Sequence, residues 1–506
     1  MLLWFVIAYW ITSVGIGLYA ATRVHNTKDF AIAGRQLPFY MVTATVFATW
    51  FGSETVLGIP ATFLKEGLHG VVADPFGASM CLILVGLFFA APLYRMNLLT
   101  IGDFYKKNFG RNVEVLTTIA IVISYLGWVG AQITALGLVF NVVSNGEISK
   151  LAGMWIGSGT ILVYTFFGGM WAVAVTDFLQ MIIIVVGMLF IGHEISGQVG
   201  GVGVVVEHAA QAGKFEFWPT FDLKEILGFT AAWITMMFGS IPQQDVFQRV
   251  QSSKTEKIAI WGAVFGGCLY FVFAFVPMFL AYSATLIDPK MVSGLIDVDP
   301  QMILPTLVMQ HAPLFAQVMF FGALLSAIKS CASATLLAPS VTFSENILKP
   351  MLGHKLPDHK MLHLMRGVTV LFTIVVTLYA MNSKASIFKM VENAYQITLV
   401  AAFIPLVAGI YWKRSSTQGA LAAIFCGLSV WLAILMFGPE DPFVPAQFAG
   451  LIASAIGMII GSLLPSMVSG PLPQEPEHPH LHHLAASHTE HVAEHPHHHP
   501  SQHGEH

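Results

Sequence analysis

The sequence predicts an all-α polytopic membrane protein of about thirteen transmembrane helices, and three observations carry that prediction. Of 506 residues, 55% are hydrophobic and only 10% are charged, with a mean hydropathy of +0.70. A soluble domain carries about 25% charged residues. Apolar runs of the length that crosses a bilayer core as a helix, about 20 residues, recur along the chain as far as residue 465. The basic residues gather between those runs. With 24 Lys+Arg against 28 Asp+Glu, the net charge is −4. No concentrated basic face exists for nucleic acid to bind, so the expected surroundings are a lipid bilayer, reached by a multi-pass protein of the bacterial inner (plasma) membrane.

The first run, 2–22, lacks a basic leader and a small-residue cleavage site, so it reads as a retained membrane helix. The second, 37–64, is interrupted by Trp50-Phe51-Gly52-Ser53. The third covers 74–94 and the fourth 113–145, the latter long enough to kink. The fifth, 151–167, is short and meets the sixth, 171–193, at Gly168-Gly169. The seventh, 226–244, is interrupted by Phe238-Gly239-Ser240-Ile241-Pro242. Runs at 258–285, 313–341, 364–382, 388–411, 418–438 and 445–465 complete the set. Cys81, Cys268, Cys331 and Cys426 each fall inside a run with no metal-ligand or redox spacing, and read as sequestered thiols.

Orientation follows from the basic residues, which favour the cytoplasmic side. With the N-terminus outside, the inner loops hold 16 of the 24 and the outer loops 7. That arrangement puts the C-terminus inside. The remaining cation, Lys329, lies in the middle of the ninth run.

Charge within hydrocarbon is expensive and marks candidate functional positions. Lys329 is about 15 Å from either interface, too far to snorkel. Glu54 lies near the centre of the second run, and Asp177 lies just inside the sixth, where it could equally face a watery cavity. A Lys–Glu pair would compensate both charges. The two interrupted runs share Phe-Gly-Ser, and each would open one half if runs two to six and seven to eleven are repeats. Broken helices in corresponding positions point to a transporter binding site at mid-membrane.

Over roughly 1–465 the chain resembles the sodium:solute symporter family. The strongest match is Gly168-Gly169-Met170-Trp171-Ala172-Val173-Ala174-Val175-Thr176-Asp177-Phe178-Leu179-Gln180, supported by Ala33-Gly34-Arg35 and by Phe247-Gln248-Arg249-Val250 after Ile241-Pro242. The resemblance implies a LeuT-type fold of inverted five-helix repeats that moves a small polar organic solute by alternating access. It implies Na⁺ as the coupling cation and no other cofactor. Within the family the pattern is nearest the choline-transporter branch, through Phe47-Ala48-Thr49-Trp50 and Gly239-Ser240-Ile241-Pro242. Aromatic cages hold quaternary ammonium by cation–π attraction. Trp50 and Trp128 match aromatic positions of that branch, although Gln243 stands where a third is expected, and both tryptophans could simply pack between helices. The candidate substrate residues are Trp50, Glu54, Trp128, Gln243 and Gln244.

The same resemblance implies an ion site made of carbonyls matching Ala48, Phe51 and Ala327, a hydroxyl pair aligned with Ser330-Cys331, and Asp177 nearby. A thiol is a poor ligand for a hard cation. Lys329 stands beside the pair, about 100° away around the helix. Two readings stay open: a sodium symporter with a modified site, or a sodium-independent or proton-coupled transporter in which Lys329, compensated by Glu54 or Asp177, takes the place of the ion. A substrate-sensing membrane protein is a further alternative. An enzyme is not expected, because no metalloprotease or nucleophile-elbow motif is present.

Composition changes after Pro465. Residues 466–506 are expected to form a disordered cytoplasmic tail, with twelve His among the 29 residues from His478 to His506. His478, His480, His482, His483, His495, His497, His498 and His499 are candidate ligands for a divalent transition metal. A pH-responsive tail and a tail without selected function are the competing readings.

Overall fold

A computed structural model describes residues 1–353 and 355–471. The histidines of the proposed metal-binding tail, His478 to His499 among them, lie outside the described residues. Within the described residues no group of His, Cys, Asp and Glu is arranged to hold a metal.

The described chain is helical. Its principal helices are α1 (Leu2–Ala20), α2 (Phe39–Trp50), α3 (Ile59–Glu66), α4 (Ile101–Phe109), α5 (Arg111–Val143), α6 (Lys150–Val199), α7 (Leu223–Gly239), α8 (Gln244–Ser252), α9 (Glu256–Ile287), α10 (Leu314–Phe343), α11 (Asp358–Asn382), α12 (Ile387–Ala394), α13 (Gln396–Ala401), α14 (Phe403–Tyr411), α15 (Thr417–Phe437) and α16 (Ala446–Leu463). Among the described residues nine helical segments are long and apolar enough to span a bilayer, or ten if the bent pair Ile387–Ala401 and Phe403–Tyr411 forms one span. The fifth and sixth predicted runs form the single segment α6, which turns at Gly169 with φ 50° and ψ −137°. A Cβ there would lie 2.5 Å from the Phe30 carbonyl, so only glycine allows the turn. The second and seventh runs are each broken into pieces too short to span alone: α2 has 12 residues and α7 has 17.

Helix starts follow local chemistry. Thr100 and Asp103 form a reciprocal capping box on α4, and Ser149, Thr255 and Ser416 cap α6, α9 and α15. Packing follows small residues, as expected where no water drives helices together. A Cβ on Gly457 of α16 would meet the Ala422 carbonyl of α15 at 2.7 Å, and one on Gly127 of α5 would meet the Met390 carbonyl of α12 at 2.8 Å. Leu87, Phe88, Val272, Leu371, Phe425 and Ile460 point outward, giving the apolar surface that acyl chains cover. Cys81 and Cys331 are buried as expected, whereas Cys268 and Cys426 sit on that outward surface.

Candidate ion and substrate sites

Both predicted interruptions are real breaks in the helix. α2 stops at Trp50, and Phe51 leaves helical geometry at φ −83°, ψ 77°. The Gly52 N–H donates to the Trp50 carbonyl at 3.1 Å, the Thr55 N–H to the Gly52 carbonyl at 3.1 Å, and the Ser53 N–H to Gln132 Oε1 at 2.9 Å. The regular acceptors of those three donors would be the carbonyls of Ala48, Phe51 and Thr49, which the break therefore releases from the helical ladder. Carbonyls released at a helix break are suited to a hard cation.

α10 stands across this break. A Cβ on Gly52 would fall 2.9 Å from both Cβ and Sγ of Cys331, so the glycine brings the thiol against the unwound backbone. Ser330 Oγ donates to Asp177 Oδ1 at 2.8 Å, while Thr45 and Thr49 of α2 donate to Oδ2 at 2.6 and 3.3 Å. Asp177 is thus in direct contact with both α2 and α10. Ala327 lies one turn before Cys331 in unbroken α10, and all these residues are buried.

Lys329 departs from expectation. It pairs with neither Glu54 nor Asp177. Its Nζ donates to Ser13 of α1 and lies 4.7 Å from the Trp10 ring centroid and 5.0 Å from that of Tyr164. The 100° step on α10 that turns Ser330 toward Asp177 turns Lys329 toward α1 and α6, where the Trp10 ring and Ser13 hydroxyl of α1 and the Tyr164 ring of α6 receive the ammonium.

The second site is built of rings. Trp50 meets Trp128 edge to face at 5.5 Å and lies nearly parallel to Tyr395 at 6.5 Å; Trp128 meets Tyr395 at 5.5 Å and Tyr125 at 6.0 Å. Two carboxylates brace the rings by their polar tips. Trp128 Nε1 and Gln132 Nε2 donate to Glu54 at 3.4 and 2.7 Å. Trp50 Nε1 donates to Asp245 Oδ2 at 3.2 Å, and Tyr125 donates to Oδ1. Asp245 follows the second break, in α8, and Arg249 one turn later links the two sites by donating to the Asp245 carbonyl at 3.1 Å and to Thr49 at 2.8 Å. Gln243 spends its amide elsewhere, whereas Gln244 spends only its oxygen, its Nε2 being buried without a partner among the described residues. Gln243 exchanges bonds with Ser124 and donates to Thr398, and Gln244 Oε1 accepts the Ile101 N–H at 2.8 Å.

Sequence reasoning therefore named Trp50, Trp128 and Glu54 of this group and missed Tyr125, Gln132, Asp245 and Tyr395. Asp245 is one residue beyond the run 226–244. A charge count extended past the breaks would have found it.

The ends of the bundle differ. At one end a polar cavity of about 530 Å³ is lined by Lys65, Glu66, His69, Lys389 and Glu392, with Gly58 and Phe388 also on its wall. At the other end Asn346 ties three elements together. Its Nδ2 donates to Asp103 and Glu114, both at 2.9 Å, and its Oδ1 accepts from Thr100 at 2.6 Å and Thr342 at 2.8 Å.

The model of the family described as "Sodium:solute symporter family" matches residues 30–427. The high affinity choline transporter 1 of Homo sapiens is 25% identical over 452 residues, covering 84% of this chain and 75% of its own. The high-affinity proline transporter PutP of Bacillus subtilis is 25% identical over 482 residues, covering 89% of this chain and 95% of its own. The solved structure of a Na⁺-coupled sialic acid symporter in a substrate-bound outward-open state superposes with a TM-score of 0.80 at 18% identity, covering 94% of this chain and 99% of that one.

Proposed function

The chain belongs to the sodium:solute symporter family, and from that premise we propose that it is a secondary active symporter carrying an organic cation together with Na⁺. The observation that carries this reading is the four-ring enclosure of Trp50, Tyr125, Trp128 and Tyr395 braced by Glu54 and Asp245. Ring faces attract a desolvated cation, and two buried carboxylates fix its charge sign. Similarity to choline transporters supports the same class of cargo.

For the coupling ion we assign the released carbonyls of Ala48 and Phe51, the hydroxyl of Ser330 and the carboxylate of Asp177, with Ala327 and Cys331 alongside. The donor chemistry suits Na⁺ in all but the thiol. Lys329, occupied by α1, stands apart from this set, which favours sodium coupling over a lysine in the place of the ion. The transport domain spans 1–465 as thirteen helices, two of them broken, in inverted repeats with the N-terminus outside and the C-terminus inside, in a bacterial inner membrane.

The test is uptake by the purified full chain in proteoliposomes. Radiolabelled choline and proline are offered under a Na⁺ gradient and under a proton gradient. Choline uptake driven by Na⁺ is expected. Proline uptake insensitive to competing organic cations sinks the reading of the cargo, and uptake driven only by protons sinks that of the ion.

A further inference from the structure

After α16 the chain stays close to the bundle up to the last described residue. Gln418, in the first turn of α15, donates to the Pro465 carbonyl at 3.4 Å and accepts the Met467 N–H at 2.8 Å. At Pro471 the chain passes Gly110, the residue that joins α4 to α5. A Cβ on that glycine would lie 3.8 Å from Pro471 Cα. The stem of the tail therefore runs from the start of α15 to the α4–α5 elbow.

Those two places also meet through α14, where a Cβ on Gly409 would lie 2.8 Å from Phe104 Cζ and 3.2 Å from Phe109 Cε2, both of α4. Lys413 and Arg414, in the turn from α14 to α15, are exposed. So is Lys107 of α4, with Lys106 and Arg111 half-buried beside it. Within 101–114, 409–418 and 462–471 the acidic residues are Asp103 and Glu114. They are only 3% and 1% exposed, and both accept from the Asn346 amide. The surface along the stem is thus cationic. The segment that continues from it has the opposite sign. Residues 472–506, outside the described residues, contain Glu475, Glu477, Glu490, Glu494 and Glu505 and no Asp, Lys or Arg.

We infer that the patch of Lys106, Lys107, Arg111, Lys413 and Arg414 is the docking surface for the chain's own acidic segment 472–506, with Glu475 and Glu477 the first to engage. Glu475 is four residues past Pro471 and Glu477 six, so about 13 and 20 Å of extended chain carry them over the patch. Exposed ion pairs are individually weak. Tethering at Pro471 makes their formation intramolecular, and several can then act together. An anionic lipid headgroup has the same charge, but it must arrive from the bilayer, whereas the stem of the tail already lies on the patch. The docked segment would bridge the α4–α5 elbow and the α14–α15 turn. It would lie across the end that Asn346 fastens, where Arg111 itself donates to Glu114 and to the Asn346 carbonyl.

The test uses the full chain in phosphatidylcholine vesicles, treated with a carbodiimide that joins a Lys amine directly to a carboxylate. Cross-linked peptides are identified by mass spectrometry, with Lys224 and Asp441, 2.6 Å apart, as the internal standard. Cross-links from Glu475 or Glu477 to Lys106, Lys107 or Lys413 are expected. They should be about threefold or more stronger than those to Lys355 and Lys360, exposed lysines that follow α10. In the double variant Lys413→Glu, Arg414→Glu the cross-links at Lys106 and Lys107, whose amines are intact, should fall about threefold, the scale of an exposed ion pair reversed in sign. Even labelling of all these lysines overturns the inference whether or not the variant folds, and so do cross-links that survive the reversal. Loss of the cross-links when phosphatidylglycerol is added assigns the patch to anionic lipid. Cross-links between isotopically heavy and light chains assign it to the tail of a second copy. Either of those outcomes also overturns the inference.

Discussion

Around Lys329 the rings of Trp10 and Tyr164 stand 4.7 and 5.0 Å from an ammonium that belongs to the chain itself, with Ser13 as its hydrogen-bond partner and, among the described residues, no carboxylate paired with it. Around Trp50 the rings of Tyr125, Trp128 and Tyr395 are arranged on Glu54 and Asp245, and among the described residues no Lys or Arg lies over them. One enclosure supplies its own cation and spends no negative charge on it. The other holds two negative charges and supplies no cation to its rings. The difference separates a lysine that fastens α1 against α10 from a ring cluster whose polar tips are anchored on carboxylates, one of them beside Arg249.

Asp177→Ala should produce the largest effect. It removes the acceptor of Thr45, Thr49 and Ser330 at once, and Na⁺-driven uptake should fall at least about 100-fold, in line with the 3–5 kcal/mol typical of breaking a buried charged partnership. Retained coupling would move the ion site away from this carboxylate. Glu54→Gln keeps the shape and removes one charge from the ring chamber. The KM for a cationic substrate should rise about tenfold, on the scale of one charged hydrogen bond, and an unchanged KM would mean that the rings alone carry recognition. Cys331→Ser adds a hard oxygen where the break meets α10, and should lower the KM for Na⁺ by about threefold to tenfold, read from uptake at graded Na⁺.

Lys329→Met should be mildest. An apolar replacement of a buried charge is often neutral or stabilising, so Na⁺ dependence should stay within about twofold, while thermal unfolding reports any loosening of α1. A variant that gains or loses its need for sodium would contradict the comparison drawn above and return Lys329 to the ion site.

The sequence revealed both breaks because Gly, Ser and Pro interrupt otherwise apolar runs, and these residues have a direct backbone meaning. Family likeness pointed to Asp177 and Ser330, and the fold brings the two into hydrogen-bond contact. Tyr395 was invisible for the opposite reason: Asn393-Ala394-Tyr395-Gln396 contains neither Gly nor Pro, and the proline that accompanies the bend at Ala402, Pro405, lies further along the chain. The spacing of Lys329 and Ser330 fixed the angle between them on α10, but no spacing names the helix standing opposite. Only the fold shows that α1 fills that side.

Asn346 has a consequence for the direction of traffic. Parting the elements at this end requires the three bonds that Asn346 makes with Thr100, Asp103 and Glu114 to give way together, each worth about 0.5–1.5 kcal/mol and more where a carboxylate accepts. At the end with the cavity, Phe388 rests against Gly58. The bundle is thus fastened by a polar knot at one end and holds a cavity at the other. Right-side-out and inside-out vesicles should differ in how fast cargo first enters, and that inequality is set by one amide far from the transported molecule.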